Sequence, residues 1–171
     1  MLFFEHHSSR GARMDVAKAL GSTLLFQDFS PEELALLAST TVEETLPAGE
    51  TLFREGDIGN SMFVIMLGGV KVMKRNEHGD DEELARLGSG DCFGEMAVLD
   101  SGHARISTIS ALEQTTLLVI SQPQVEALCA RHSGFGRSFY REIARRLSRR
   151  LSITSSDVTH YRALWRSLRR H

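Results

Sequence analysis

A carboxylate and a guanidinium, Glu95 and Arg105, stand in the stretch Asp91 to Ser110, DCFGEMAVLDSGHARISTIS, two residue types that could serve an anion and the hydroxyls beside it. The stretch reads as the end of a strand, then Gly94, where backbone can come close to a ligand. A short helical turn over Glu95 to Leu99 follows, and a polar loop then delivers Arg105 at the opening of another strand. Backbone N–H groups at the first turn of a helix, here around Met96 and Ala97, attract an anion. A guanidinium facing them can grip two phosphate oxygens at once, which a lysine ammonium does not reproduce. A carboxylate beside that anion makes sense as an acceptor for sugar hydroxyls. The alternative is that Arg105 pairs with Glu95 or Asp100 in a surface network that holds no ligand.

Other chemistries find less support. His6, His7, His78, His103, His132, His160 and His171 form no H-x-H pattern with an acid at ligand distance, so no metal centre is expected. No nucleophile sits beside a base, and an enzyme is not expected. Cys92 and Cys129 are too few for a disulfide framework and fit a reducing compartment. No apolar run approaches the roughly 20 residues of a membrane span, and MLFFEHH turns polar too early for a secretory signal. A soluble, cytoplasmic protein is the expectation.

The elements that must position Glu95 and Arg105 are legible from periodicity. With 171 residues and 42% hydrophobic content, the chain can bury one core and carry an appendage. Residues 1–21 give no clean period and are expected to form a flexible N-terminal arm. Ser30, Pro31 and Glu33 form a helix start signal, and a short helix is predicted from about Pro31 to Ser39, with Leu34, Leu37 and Ala38 on its apolar face. From Val42 to Ser121 the period becomes 2, and VEETL, ETLFRE, SMFVIML, GVKVMKR, EELARL, CF, RISTISAL and TTLLVIS read as eight short strands between glycine-rich or polar turns. Such a pattern fits a jelly roll or β-roll. QPQVEALCARH gives a second short helix that buries Val125, Leu128 and Cys129, and Ser133-Gly134 breaks it. One long helix then runs over 134–171. In it Ile143, Leu147, Leu151, Thr154, Val158, Tyr161, Trp165 and Leu168 follow one another at steps of 4, 4, 3, 4, 3, 4 and 3 residues, the seam of a parallel coiled coil, so a homodimer is expected.

The cassette FGEMA…AR-I-S resembles the phosphate-binding cassette of cyclic nucleotide-binding domains, and LPAGETLFREGDIGNSMFVIMLGGVKV resembles the first half of that family's β-roll. RRLSITSSDV is similar to the matching stretch of bacterial catabolite activator proteins, where a Thr-Ser pair in the dimer helix contacts the adenine of cyclic AMP. The resemblance implies a mainly β fold with α elements: an eight-stranded β-roll over 22–133, flanked by short helices, and a long basic dimerisation helix over 134–171. It implies a ligand site made of Gly94, Glu95, Met96, Ala97, Arg105, Ile106 and Ser107, with Thr154 on the base in the same subunit and Ser155 on the base in the partner. It further nominates Val72, Leu84 and Ala85 as pocket lining; plain core packing accounts equally well for Val72 and Leu84. Thr154 can also serve as a polar seam residue that sets register.

Two departures from the family pattern matter. Ile106 follows the cassette arginine where activator proteins carry serine and many cyclic GMP-preferring relatives carry threonine, so cyclic AMP is favoured over cyclic GMP and Ser107 is the substitute hydroxyl. The winged helix-turn-helix that follows the dimer helix in activator proteins is not seen before His171. No cofactor is expected besides the nucleotide ligand.

Charge is divided unevenly. Residues 131–171 hold 11 arginines against Glu142 and Asp157, a net of +9, while the first 130 residues hold 9 basic and 20 acidic side chains, a net of −11. The basic tail reads either as a surface for nucleic acid or acidic membrane, or as a solvated helix face. The second reading is favoured, because no aromatic residues interleave with Arg145, Arg146, Arg149 and Arg150, and Asp80 to Glu83 are candidate partners for them. The expected function is a cyclic nucleotide receptor that couples binding to movement of its C-terminal helix. The alternatives are a ligand-free docking module that uses its basic helix, or the sensory part of a longer regulator or channel.

Overall fold

Two strands of the chain are apolar on both faces, and that fixes the layering. In Ser61–Leu67 (β3) and Thr115–Ser121 (β8), Phe63, Ile65 and Leu117 point into one cluster, while Met62, Val64, Leu118 and Ile120 point into another. Successive side chains of a strand alternate faces, so a continuous apolar run is covered on both sides. One side is the interior of a β-roll and the other is a layer of helices. The computed structural model describes residues 8–100, 102 and 104–168, with side chains described for 15–100, 102, 104–156 and 159.

The roll has two four-stranded antiparallel sheets. β3 and β8 lie in one, together with Val42–Leu46 (β1) and Cys92–Phe93 (β6), in the order β1-β8-β3-β6. The second holds Thr51–Phe53 (β2), Gly69–Arg75 (β4), Asp81–Gly88 (β5) and Thr108–Ala111 (β7), in the order β2-β7-β4-β5. The jelly-roll expectation, eight strands with flanking helices, agrees with this architecture. The strand expected to open at Arg105 begins instead at Thr108, because Arg105 is bonded on the other side. Its N–H donates to the Asp57 carbonyl and its carbonyl accepts from Gly56 N–H, both at 2.8 Å, and Ala104 makes an isolated bridge with Ile58. The pairing is with the loop after β2, outside the sheet.

Four helices cover the outer face of the first sheet. Ser8–Gly21 (α1) stands where a flexible arm was expected over 1–21. Val16, Ala17 and Leu20 recur at i, i+1 and i+4 and pack into the core, with Leu20 fully buried. The polar HHSSRGAR run hides this period in the sequence, and Met1–His7 lie outside the described residues. Pro31–Thr40 (α2) has the expected capping box: Ser30 N–H donates to Glu33 Oε2 at 2.8 Å, and Ser30 Oγ accepts from Glu33 N–H at 3.2 Å. At the start of Gln122–Arg131 (α3), Ser121 donates to Gln124 Oε1 from its N–H at 3.3 Å and from its hydroxyl at 2.7 Å, and the helix buries Val125 and Leu128.

Ser133–Leu168 (α4) is a single helix of 36 residues. Its first turns are docked on the chain's own core through Phe135, Phe139, Ile143 and Leu147, a stripe at four-residue spacing. Phe139 lies 6.2 Å from Phe26 and 5.7 Å from Phe135, ring centre to ring centre. This corrects the expected seam at its start, since Ile143 and Leu147 are occupied within the protomer. Leu151 is 71% exposed, and Thr154 is exposed as well. The side chains of Val158, Tyr161, Trp165 and Leu168 lie outside the described residues.

Candidate functional site

Arg105 is positioned by its backbone before its side chain is considered. Pinned to the 56–57 turn on both sides, it projects its guanidinium over the ring of Phe53, 4.1 Å from the centroid, and 5.6 Å from that of Phe63. Such cation–π contact contributes about 0.5–2 kcal/mol and fixes the plane of the fork. Two glycines make room for it. A Cβ on Gly59 would fall 2.5 Å from Nη2, and one on Gly94 would fall 2.8 Å from Nη1. Gly94 also takes the left-handed conformation, φ +73°, that turns the chain from β6 into a 3₁₀ turn over Glu95–Val98.

Arg105 is 9% exposed, and its Nη1 has no hydrogen-bond partner among the described residues. Burial pushes its pKa below the ordinary arginine value, opposed by the charge of Asp57. Arginine stays protonated across the physiological range even so. A buried cation with an N–H that finds no acceptor is costly unless an anion completes it. The Ala97 N–H donates to the Gly94 carbonyl at 3.1 Å, inside the turn. The amides around Met96 and Ala97 thus supply less spare donor capacity than their order in the sequence suggests.

Glu95 is 1% exposed and meets two cations from α4. Arg150 Nη1 donates to Oε1 at 2.5 Å, and Arg146 Nε lies 3.7 Å from the same oxygen. Arg146 is braced in turn, because its Nη2 donates to the Cys92 carbonyl on β6. Glu95 Oε2 is buried with no hydrogen-bond partner among the described residues. Burial also pushes the Cys92 thiol up to about 11, so it stays protonated at neutral pH and is a poor nucleophile.

These groups open on one cavity of about 470 Å³, within the size range of small-ligand sites. Gly94, Glu95, Met96, Ala97, Arg105, Ile106 and Ser107 line it, and so do Val72, Leu84, Ala85 and Thr154. Ser155, the residue expected to reach a partner's ligand, does not line it. Leu84 and Ile106 are 56% and 55% exposed, so they wall the cavity and are not core residues.

The cyclic nucleotide-binding domain model matches residues 43–132, which is more than half of the chain. The chain belongs to that family. It is 33% identical, over 123 residues, to the Cyclic AMP receptor protein of Thermus thermophilus, covering 72% of this chain and 56% of that protein. Among solved structures, the Thermus thermophilus Catabolite Activator Protein superposes with a TM-score of 0.71 at 31% identity, covering 79% of this chain and 61% of that one. A cyclic nucleotide-binding domain from Methylobacillus flagellatus superposes with a TM-score of 0.76 at 25% identity, covering 88% and 84%. The chain spans about half the length of the curated relatives it matches.

Within this cyclic nucleotide-binding domain, sequence reasoning missed the residues that hold Glu95 and Arg105. Arg146 and Arg150 are one helical turn apart, a spacing visible in the sequence, but nothing there says that α4 passes β6. Among the described residues, the expected pairing of Arg145, Arg146, Arg149 and Arg150 with Asp80 to Glu83 does not form. Asp81 is near Arg75 (3.9 Å) and Glu83 binds Arg86 (2.7 Å), whereas Arg145 donates to Glu142 and Arg150 to Glu95. Asp81 and Glu83 thus take cations of their own hairpin, while Lys74 reaches out of it to Glu55 at 3.4 Å. Phe53 and Gly59, which seat the guanidinium, lie in and just after β2 and carried no signal of their own. Among the described residues, no group of three His, Cys, Asp or Glu side chains could hold a metal ion, and no helix is long and apolar enough to cross a membrane.

Proposed function

We propose that this domain is a cytoplasmic receptor for a cyclic nucleotide, preferring cyclic AMP, that signals through α4. The observation that carries the reading is the buried guanidinium of Arg105, whose Nη1 has no partner among the described residues and whose side chain borders a cavity of about 470 Å³. The cyclic phosphate completes that donor and rests over the turn at Met96 and Ala97. Glu95 accepts from the ribose 2′-hydroxyl. Val72, Leu84, Ala85 and Ile106 give the base apolar walls, Ser107 offers a hydroxyl to the phosphate, and Thr154 meets the base from α4. Ile106 offers no hydroxyl to guanine, which disfavours cyclic GMP.

Cyclic AMP is the ligand of the Thermus thermophilus relative by its name, and identity of 33% over the sensor region supports carrying that ligand over. Ligand that touches both the cassette and α4 binds best when the two are close, so occupancy shifts the population towards docked α4. The exposed Leu151 and the seam beyond it suit a homodimer, in which Ser155 reaches the partner's base.

Calorimetry with cyclic AMP on the wild type and on Arg105→Leu tests the reading. Micromolar binding, about −8 kcal/mol, is expected for the wild type. Loss of one or two charge-assisted bonds, each about 1.5–3 kcal/mol, weakens the variant at least about tenfold. No heat and no thermal shift at millimolar nucleotide would leave a ligand-free docking module as the better account.

A further inference from the structure

The antiparallel ladder between β4 and β7 runs from Val70 opposite Ala111 to Met73 opposite Thr108 and then stops, although β4 itself continues to Arg75 against β5. Carried on in the same register, it would set Ile106 opposite Arg75. Side chains stand in for that pairing. The Arg75 N–H donates to Glu55 Oε2 at 3.0 Å, and the Ile106 carbonyl accepts from Lys74 Nζ at 3.2 Å. The same ammonium lies 3.4 Å from Glu55 Oε1, so an ion pair is inserted between β4 and the segment that carries Arg105. Glu55 is itself tied to the start of β7, where its N–H donates to Thr108 Oγ1 at 3.0 Å. The bond from the Arg75 N–H holds the Glu55 carboxyl below the ordinary carboxylate range, so it is charged at neutral pH.

We propose that Lys74 and Glu55 are positioning residues for the ligand wall at Ile106 and Ser107: as an ion pair inserted in the ladder, they hold that segment off β4 and so set the width of the cavity where it receives the base. The proposal rests on the cyclic nucleotide reading above and deepens it, by naming what fixes the wall. Lys74, Ile106 and Ser107 all line the cavity. The pair is partly exposed, its side chains 48% and 33% accessible, and pairs of that kind contribute little to stability. Its consequence is geometric. The 56–57 turn holds the backbone of Arg105, and the next carbonyl, that of Ile106, is bonded to Lys74. Without the pair, that carbonyl and the Arg75 N–H are free to bond each other, because each backbone group seeks a partner. The ladder then closes by a step and carries Ile106 towards β4.

The test measures cyclic AMP and cyclic GMP binding by calorimetry, beside a thermal melt, on the wild type, Lys74→Met, Lys74→Arg, Glu55→Gln, and Lys74→Met combined with Glu55→Gln. Lys74→Met keeps an apolar stem at the cavity and removes the ammonium. It is expected to weaken cyclic AMP at least about fivefold, part of what one charge-assisted bond contributes, and to cut the preference over cyclic GMP at least about threefold. The melting temperature should change by only a few degrees. Lys74→Arg, which keeps a charged donor for the carbonyl, should restore the preference to within about twofold of the wild type. Glu55→Gln still accepts from the Arg75 N–H but no longer draws the ammonium, so its losses should be smaller. Adding it to Lys74→Met should change neither affinity further, because both residues act through one pair. Equal losses for both nucleotides in Lys74→Met would overturn the proposal, since a general loosening of the fold moves both alike. Unchanged affinities, no rescue by arginine, or losses that add in the double variant would overturn it too. Wild type that binds both nucleotides equally well would overturn it while leaving the receptor reading intact. Wild type that binds neither would remove the receptor reading itself, and the proposal with it.

Discussion

The guanidinium of Arg105 works at the floor of the site because of what surrounds it. Phe53 supports its face, two backbone bonds fix its Cα, and Gly59 and Gly94 leave the space it fills. The two glycines are required for different reasons. Gly94 adopts φ +73°, which other residues resist, so its replacement strains the backbone as well as the arginine. Gly59 is needed only for space. Gly59→Ala is therefore expected to displace the guanidinium and weaken cyclic AMP binding at least about tenfold, with the melting temperature changed by only a few degrees. Calorimetry beside a thermal melt measures both. Unchanged affinity would show that Arg105 yields without loss and that its position is not decisive.

At the scale of elements, α4 is one helix with two environments. Up to Leu147 it is a core helix that packs on α3, with Phe135, Phe139 and Ile143 buried in one cluster with Phe26, Phe29 and the outer-face residues of the first sheet. Beyond it, Leu151 and Ile153 are largely exposed. Ile143→Ala should thus destabilise the folded domain by about 2–5 kcal/mol, read from urea unfolding, as truncation of a buried aliphatic side chain does. A loss below about 1 kcal/mol would mean that Ile143 belongs to an intermolecular seam after all. Between these two segments lie Arg146 and Arg150, the turn at which α4 meets the cassette. A helix anchored on one side of that contact can pass a change at the ligand site to whatever its far end engages.

For the whole molecule, charge and apolar surface are distributed to the same end. The basic helix is neutralised near the roll by Glu95 and Glu142, and among its described side chains Arg137 and Arg149 remain exposed. Parallel pairing of two such helices brings like charges together, which costs stability at low salt and less at high salt. The proposed homodimer should strengthen as salt is raised, and Leu151→Asp should shift it towards monomer at micromolar concentration. Native mass or sedimentation measurements check this. Because Leu151 is 71% exposed, the same substitution should alter the unfolding free energy of the isolated protomer by about 0.5 kcal/mol or less. A wild type that is monomeric at all salt concentrations would sink the dimer.

Local chemistry written into neighbouring residues was readable from the sequence alone. The capping box of Ser30 and Glu33, the alternation that marks eight strands, and the glycine, glutamate and arginine of the cassette all act over a few residues, or in a pattern with a fixed period. What needed the fold was every relation set by which elements pass each other. The start of β7 moved to Thr108 because the 56–57 turn competes for the backbone of Arg105, and residues 8–21 became helix because a core was there to receive Leu20. Ile143 and Leu147, apolar at seam spacing, went to the protomer's own core because Phe135 and Phe139 begin the same stripe. Periodicity states that a face must be buried, and tertiary packing decides against what. The two arginines on Glu95 follow the same rule, since an unpaired carboxylate takes the cation that the fold carries past it.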